Sequence, residues 1–187
     1  SQALDDAIFT RLSGIVSANT VLAHIRKATQ GNLSPLNSHP FQHGRWVFAH
    51  NGDIPNFSKV GKALREQVSP IFRRYILGDT DSEVIFFLLL TELSRRAEIH
   101  RPGVPLETLV ECVRNTVALV RDIADDKDNN ALLTFIISNG ESMLAHEGGK
   151  DLLVSTHKNS CSETNSCSFF APECLAPTRN GYVSHFL

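Results

Sequence analysis

The sequence predicts an α+β fold in which helices pack against an antiparallel β-sheet. The elements predicted below run as one helix, two strands, several helices and then a series of strands, and this segregation is typical of α+β proteins. Of the 187 residues, 42% are hydrophobic and 20% are charged, which is a globular composition. Because a chain of this length can bury a substantial core, we expect a single domain over residues 1–187.

The first third of the chain is expected to form a helix followed by two strands. Residues 4–15 carry apolar side chains with helical spacing, which predicts the helix. Residues 20–25 and 45–50 are short, largely apolar segments that contain β-branched or aromatic residues, and both predict strands. Residues 30–41, between them, contain two prolines and a glycine, which favours a loop.

The middle of the chain is expected to be mainly helical. The charged segment at residues 57–68 predicts an exposed helix, and the periodic apolar residues of 106–123 predict an amphipathic one. Residues 71–77 fit either a short strand or an extended segment. The segment from Thr80 to about Arg96 predicts a buried helix, because it contains the apolar run from Val84 to Leu90.

The acidic start of this buried helix has two interpretations. Thr80 or Asp81 can serve as the N-cap, with Glu83 placing a negative charge in the first turn. A carboxylate that is held rigidly at the start of a helix can also accept hydrogen bonds from the ammonium group of a ligand. Capping is the simpler interpretation of the helix taken alone.

The last third of the chain predicts strands. Residues 132–146 predict a β-hairpin, because two apolar segments flank an Asn-Gly dipeptide. Further strands are predicted at residues 152–156 and 182–187, with an irregular loop at residues 160–178 between them.

Charge and cysteine content exclude several classes of function. The 18 basic and 20 acidic residues give a net charge of −2, so we expect no nucleic acid and no membrane as a partner. No apolar run approaches the roughly 20 residues that span a bilayer. The four cysteines form no C-x-x-C pair, which disfavours a zinc site. Together with a start that lacks a secretion signal, this favours a reducing, cytoplasmic setting.

The histidines are expected to have structural rather than metal-binding roles. His39 and His43 have a spacing that suits a metal on a helix, but Pro40 between them disfavours that helix. We therefore expect no metal and no cofactor. His24 and His50 are expected to form structural hydrogen bonds beside a functional site.

Three polar clusters follow predicted apolar elements or precede the buried helix, at residues 26–29, 50–52 and 79–83. Arg26 can bind a carboxylate through its two-pronged guanidinium group, and Thr29 adds a hydroxyl donor. Because the flanking segments are apolar, we expect each cluster to lie at the rim of the core.

Together the three clusters offer receptors for an amino-acid amide. Asn51 and Gly52 supply a side-chain amide and a backbone N–H, two uncharged donors that suit a developing oxyanion. Asp81 supplies a carboxylate for an α-amino group, and Arg26 a guanidinium for an α-carboxylate. Each cluster also has a structural interpretation: Arg26 as a surface ion pair, Asn51-Gly52 as a hairpin turn and Asp81 as a helix cap.

Four segments in this order resemble the class II glutamine amidotransferases: L-A-H-I-R-K-A-T, H-P-F, G-R-W-V-F-A-H-N-G and G-D-T-D-S-E. Within that family the chain is most similar to the bacterial stand-alone type, which resembles the fungal subunit that acts on glutathione. The resemblance implies an N-terminal-nucleophile hydrolase fold with four layers, α-β-β-α. It also implies hydrolysis of a γ-glutamyl amide through a cysteine thioester.

The resemblance also implies roles for individual residues. Arg26 and Thr29 would hold the substrate carboxylate, Asn51 and Gly52 would form the oxyanion hole, and Asp81 would bind the α-amine. The substrate would be glutamine or a small γ-glutamyl compound. A partner subunit or a second copy of the chain stays open as a further partner.

The sequence departs from the family at the nucleophile. The family's N-terminal cysteine is missing, because residue 1 is Ser and the first cysteine is Cys112. Ser1 precedes a predicted helix rather than a strand, so it is not expected to replace that cysteine. We expect a partial domain, incomplete at both ends and inactive in hydrolysis as written. The alternative is a non-catalytic module that binds γ-glutamyl compounds or amino acids and has lost the nucleophile.

Overall fold

The computed structural model describes residues 7–13, 15, 18, 20–25 and 34–153. The chain divides into two compact units, residues 1–150 and residues 151–187. All helices and strands given below belong to the first unit. In the second unit, residues 151–153 are described and have no regular secondary structure. The single domain expected over the whole chain stays a prediction.

The described strands form one four-stranded antiparallel sheet in the order β1-β2-β3-β4. Their bounds are Phe41–His43 for β1, Trp46–Asp53 for β2, Leu132–Ser138 for β3 and Met143–His146 for β4. The register of the central pair runs from Val47 opposite Ser138 to Asp53 opposite Leu132. The two central strands therefore come from distant parts of the sequence.

The described helices include one central helix, against which three of the others pack. Their bounds are Ala7–Ser13 for α1, Phe57–Gln67 for α2, Pro70–Arg73 for α3, Asp81–Ser94 for α4 and Leu106–Ala124 for α5, with a short 3-10 helix at Pro35–Asn37. Helix α4 contacts α2, α3, α5 and β2, which places it at the centre. Among the helices of the described residues, none has the length and apolar character that crossing a bilayer requires.

Helix α4 is buried because its sequence offers apolar side chains in every direction. From Val84 to Leu90 each residue is apolar and at most 3% exposed. A helix that is apolar all round needs neighbours on all sides. One of these contacts is the stacking of Phe86 on Phe48 of β2, with 5.5 Å between ring centroids. This packing fixes the start of α4 relative to the end of β2.

The two faces of the sheet have different environments. Trp46, Phe48 and His50 alternate along β2 toward the helices, and each is at most 3% exposed. Val47, Ala49 and Asn51 alternate with them along the strand and face the opposite side. An antiparallel sheet with helices packed on it confirms the predicted combination of α and β structure. The second sheet and second helical layer of the predicted four-layer sandwich stay a prediction.

Two segments for which a strand was predicted or left open as an alternative are not strands. Residues 20–25 have no regular secondary structure, and Val21 and Ile25 are 64% and 86% exposed. A strand needs a paired neighbour, and none of the described residues supplies one for this segment. Residues 71–77 instead begin inside α3, because Pro70 lies in its first turn, where the fixed backbone angle of proline favours a helix.

The other elements predicted within the described residues are confirmed, apart from shifts at their ends. The helices predicted at 57–68, from Thr80 onward and at 106–123 are α2, α4 and α5, the hairpin predicted at 132–146 is β3 with β4, and α1 lies within the helix predicted at 4–15. The loop predicted at 160–178 and the strand at 182–187 lie outside the described residues, as does most of the strand predicted at 152–156.

Replacing Leu89 by Ala is expected to lower the free energy of unfolding by about 2–5 kcal/mol, because this side chain is fully buried and its loss leaves a cavity. Leu77→Ala is the matched control, since Leu77 is 65% exposed. That change is expected to cost less than about 0.5 kcal/mol. Urea unfolding followed by circular dichroism measures both, and equal effects would contradict the central position of α4.

Candidate functional site

The end of β2 meets the start of α4 at one buried carboxylate. The backbone N–H of Ile54, the residue after β2, donates to Oδ2 of Asp81 at 2.8 Å. The backbone N–H of Ser82 donates to Oδ1 of the same carboxylate at 2.7 Å. Asp81 is 3% exposed, so these main-chain donors take the place of water around it. The carboxylate therefore ties the strand end to the helix start.

Thr80, and not Asp81, is the N-cap of α4. The hydroxyl of Thr80 accepts the backbone N–H of Glu83 at 3.3 Å, and Asp81 occupies the first helical position. The carboxylate of Glu83 accepts the N–H groups of Leu77 and Gly78 at 3.0 Å and 2.8 Å. Burial raises the pKa of Glu83, although these two hydrogen bonds act in the opposite direction. Glu83 thus holds the preceding loop against the helix.

His50 connects the sheet to the same helix start. Its Nε2 lies 2.9 Å from the carbonyl oxygen of Leu132, and its Nδ1 lies 2.9 Å from the hydroxyl of Ser82. Because a carbonyl oxygen only accepts, Nε2 carries a hydrogen and donates. The hydroxyl of Ser82 lies in turn 3.2 Å from Oδ1 of Asp81. Burial lowers the pKa of His50, and the neighbouring Asp81 carboxylate opposes this only in part.

Asn51 and Gly52 lie within β2 rather than in a turn. The strand was predicted to end at His50, but it continues to Asp53 and pairs with β3 over this stretch. The interpretation of Asn51-Gly52 as a hairpin turn is therefore wrong. Pairing with a distant strand outweighs the local turn preference of an Asn-Gly dipeptide, because it gives both main chains hydrogen-bond partners.

Gly52 occupies a position at which no side chain fits. A Cβ added there would lie 1.8 Å from the carbonyl oxygen of Leu132 and 2.5 Å from Nε2 of His50. Glycine thus leaves room for the hydrogen bond between those two groups. Asn51 is exposed, and strand alternation places its side chain on the opposite face from His50.

Arg26 and Thr29 lie outside the described residues. The segment that precedes them does reach the end of β2, because Nε2 of His24 lies 3.2 Å from the backbone oxygen of His50. The carbonyl can only accept, so His24 donates. The predicted structural roles of His24 and His50 as hydrogen-bonding residues are confirmed by these contacts.

Of the predicted site residues, the described structure brings three into one region. Asn51 and Gly52 lie at the end of β2, and Asp81 is bonded to Ile54 just beyond that end. The region combines an exposed amide, a glycine backbone and a buried carboxylate. These groups are uncharged donors on one side and an anionic acceptor on the other, which suits a ligand with a polarised carbonyl and an ammonium group.

Sequence reasoning missed two residues of this region. Ser82 lies in the T-D-S-E motif, but its partner His50 is 32 residues away, so no local pattern reveals the contact. Asn37 exchanges two hydrogen bonds with Asp79: its amide donates to the carboxylate at 2.5 Å, and its oxygen accepts the Asp79 N–H at 3.1 Å. The one available signal for Ser82 was its position directly after Asp81.

Known proteins show which family shares this sequence. The model of the class II glutamine amidotransferases matches residues 5–164. The DUG3 protein of Saccharomyces cerevisiae, named as a probable glutamine amidotransferase, is 38% identical over 78 residues, which are 42% of this chain and 22% of that protein. A Haemophilus influenzae protein whose name assigns it to the glutamine amidotransferases is 30% identical over 135 residues, which are 70% of this chain and 40% of that protein. The chain spans less than half the length of these curated relatives.

A solved structure shares the fold. The chain superposes on a glutamine aminotransferase class-II domain protein from Silicibacter pomeroyi with a TM-score of 0.61 and 23% identity, covering 83% of this chain and 66% of that one. The family match covers most of the sequence and includes every motif on which the resemblance was based. The chain belongs to the class II glutamine amidotransferases.

Proposed function

We propose that this chain is part of a class II glutamine amidotransferase domain in which a cysteine nucleophile, absent from the 187 residues, hydrolyses the γ-glutamyl amide bond of glutamine or of a small γ-glutamyl compound. The observation that carries the proposal is the attachment of Asp81 to the end of β2. The Ile54 N–H, donating at 2.8 Å, holds this carboxylate beside the strand segment that contains Asn51 and Gly52. An acceptor for an amino group and donors for a carbonyl oxygen are thereby neighbours.

Asp81 is proposed to bind the α-ammonium group of the ligand. Each carboxylate oxygen has two lone pairs, and Oδ2 accepts a single hydrogen bond, from Ile54, among the described residues. The second lone pair can accept from an ammonium group. A buried carboxylate lacks the stabilisation that water gives a charge, so a ligand cation supplies the counter-charge that it needs.

Asn51 and Gly52 are proposed to form the oxyanion hole. The Asn51 side chain is exposed and hydrogen-bonds to none of the described residues, so it can donate without breaking a bond seen here. Arg26 and Thr29 are proposed to bind the α-carboxylate of the ligand. They follow directly on the segment that His24 attaches to the backbone of β2.

The proposed reaction passes through a thioester. A cysteine thiolate attacks the side-chain carbonyl carbon of glutamine, the protonated amide nitrogen leaves as ammonia, and water then attacks the thioester to release glutamate and the thiol. An N-terminal cysteine whose own α-amine acts as base supplies the thiolate in this scheme, whereas residue 1 here is Ser. Cys112 does not replace it, because it is buried in α5 and burial raises the pKa of its thiol to about 11.

A second candidate function needs the ligand-binding residues but no nucleophile. No cysteine precedes Cys112 in this sequence, yet the residues proposed to hold a ligand need no thiolate. A binding module for γ-glutamyl compounds or amino acids would use Arg26, Asn51 and Asp81 in the same way. It would differ from the hydrolase in lacking the covalent step.

We further propose the four-layer α-β-β-α sandwich as the complete fold. The face of the sheet away from the described helices carries apolar side chains on neighbouring strands, such as Ala49 opposite Ile136. An apolar sheet face is stable when a second layer covers it. A second sheet packed on this face would supply that layer.

Asp81→Asn is expected to raise the KM for glutamine about 10- to 150-fold in the protein expressed from its native reading frame, because a hydrogen bond to a charged group contributes about 1.5–3 kcal/mol. The effect on kcat is expected to be smaller, since the lost contact is made to a part of the substrate that does not react. Steady-state ammonia release measures both constants.

Asp122→Asn is the matched control, because it removes a carboxylate from an exposed position of α5. It is expected to leave KM and kcat within about twofold of the unsubstituted protein. Circular dichroism checks that Asp81→Asn is still folded, since Asp81 also bonds Ile54. An unchanged KM in a folded Asp81→Asn protein would remove Asp81 from the ligand site.

The 187-residue polypeptide itself is expected to release no ammonia from glutamine or γ-glutamyl peptides above a buffer blank, because its first residue is Ser and cannot supply a thiolate. Turnover by this polypeptide would contradict the cysteine mechanism. Mass spectrometry of the native protein separates the two candidate functions. A mature N-terminal Cys supports the hydrolase, and a mature start at Ser1 supports the binding module.

A further inference from the structure

A buried row of hydrogen bonds joins β3, β2 and α4. It runs from the Leu132 carbonyl to Nε2 of His50 (2.9 Å), from Nδ1 of His50 to the Ser82 hydroxyl (2.9 Å), and from that hydroxyl to Oδ1 of Asp81 (3.2 Å). His50, Ser82 and Asp81 are 3%, 5% and 3% exposed. Hydrogen bonds shielded from water in this way are electrostatically stronger than those at a surface.

The Ser82 hydroxyl has one hydrogen and two acceptors within reach. With Nε2–H donating to Leu132, a neutral imidazole presents Nδ1 as an acceptor, which competes with Oδ1 of Asp81 for that hydrogen. In an imidazolium, Nδ1–H donates to the hydroxyl, and the hydroxyl then donates to Asp81. The row therefore has two hydrogen-bonded forms that differ by one proton on His50.

We propose that His50 and Ser82 are positioning residues, which act on a glutamyl ligand through Asp81. They hold Oδ1 in the buried row, where the Ser82 N–H also binds it, and so leave Oδ2 with its single described partner, Ile54, to receive the ligand's ammonium group. This inference rests on the proposed function, because it takes Asp81 as the ammonium-binding residue.

The proton on His50 sets how strongly Asp81 attracts that ammonium group. An imidazolium places a positive charge one hydroxyl group away from the carboxylate, where it competes with the ligand's own cation. The neutral form leaves the negative charge of Asp81 available. Ligand affinity therefore falls when His50 becomes protonated.

The groups around His50 determine that its protonation, and with it the loss of ligand affinity, occurs at acidic pH. The carboxylates of Asp81 on α4 and Asp53 on β2 favour protonation of the imidazole, and His24 reaches the His50 backbone from the segment at residues 20–25. Burial outweighs the two carboxylates and lowers the pKa of His50 from its ordinary value of 6.5. The imidazole is thus neutral at pH 7, and affinity decreases only as the pH falls below about 6.5.

The test compares Ser82→Ala with Ser82→Thr in the protein expressed from its native reading frame. Ser82→Ala removes one of the two donors to Oδ1 and is expected to raise the KM for glutamine about three- to tenfold, with a smaller change in kcat. Ser82→Thr keeps the hydroxyl and is expected to restore KM to within about twofold. Equal values of KM for Ser82→Ala and the unsubstituted protein would overturn the inference.

The pH dependence of L-glutamate binding distinguishes the proposed positioning role of His50 from a purely structural role. The competitive inhibition constant of L-glutamate is expected to rise as the pH is lowered from 7 into the range in which His50 becomes protonated, which lies below its ordinary pKa of 6.5. His50→Gln stays neutral over this range, so its profile is expected to be flat. A profile that is the same in both proteins would overturn the role of His50.

Asp81→Asn separates failure of the inference from failure of the proposed function. If Asp81→Asn leaves KM unchanged, the proposed function fails and the inference fails with it. If Asp81→Asn raises KM but Ser82→Ala does not, the inference alone is overturned. Imidazole ¹⁵N shifts of His50 in the 187-residue chain give a measurement that needs no variant: hydrogen on Nε2 with Nδ1 as acceptor at about pH 7 supports the row. The opposite tautomer contradicts it.

Discussion

The carboxylate of Asp81, bonded to two backbone N–H groups, is the interaction on which the arrangement of the region depends. Removing an unpaired charge from water costs several kcal/mol, and here the N–H groups of Ile54 and Ser82 offset that cost. The positive end of the α4 dipole adds to the same stabilisation. Because both donors belong to the main chain, the fold itself fixes the orientation of the carboxylate.

Helix α4 combines two kinds of residue that seldom share a helix start. Its body is apolar on all sides and is held by contacts such as Phe86 on Phe48. Its first turn carries Asp81, Ser82 and Glu83, all of them buried and hydrogen-bonded. The apolar body supplies rigidity, and the polar start uses it to hold charged and hydrogen-bonding groups in fixed positions. A site built on such an element loses little conformational entropy when a ligand binds.

Local signals explain which elements could be predicted from the sequence. The cap at Thr80 and the apolar run after it identify α4, and an Asn-Gly dipeptide between apolar segments identifies the hairpin of β3 and β4. The turn preference of Asn51-Gly52 misled the prediction, because pairing with β3 is decided by residues far along the chain. The strand predicted at residues 20–25 was wrong for a similar reason, because an apolar segment forms a strand only where another strand lies beside it.

The sequence indicates which residue types form the candidate site, but not the hydrogen bonds that hold these residues in place. Asp81 and Asn51 stand in motifs that can be read one at a time. The bond between His50 and Ser82 spans 32 positions and joins a strand to a helix, so only the folded chain reveals it. Ile54 contributes its backbone N–H, which a pattern of side chains in the sequence cannot predict.

The glycine at position 52 also governs how β2 aligns with β3. Sliding β2 by one residue would bring Asn51 or Asp53 to the place where a Cβ meets the carbonyl oxygen of Leu132, and a collision would follow. The same slip would turn Trp46 and Phe48 out of the core. Gly52, which has no side chain, therefore disfavours a shifted pairing of β2 with β3 during folding.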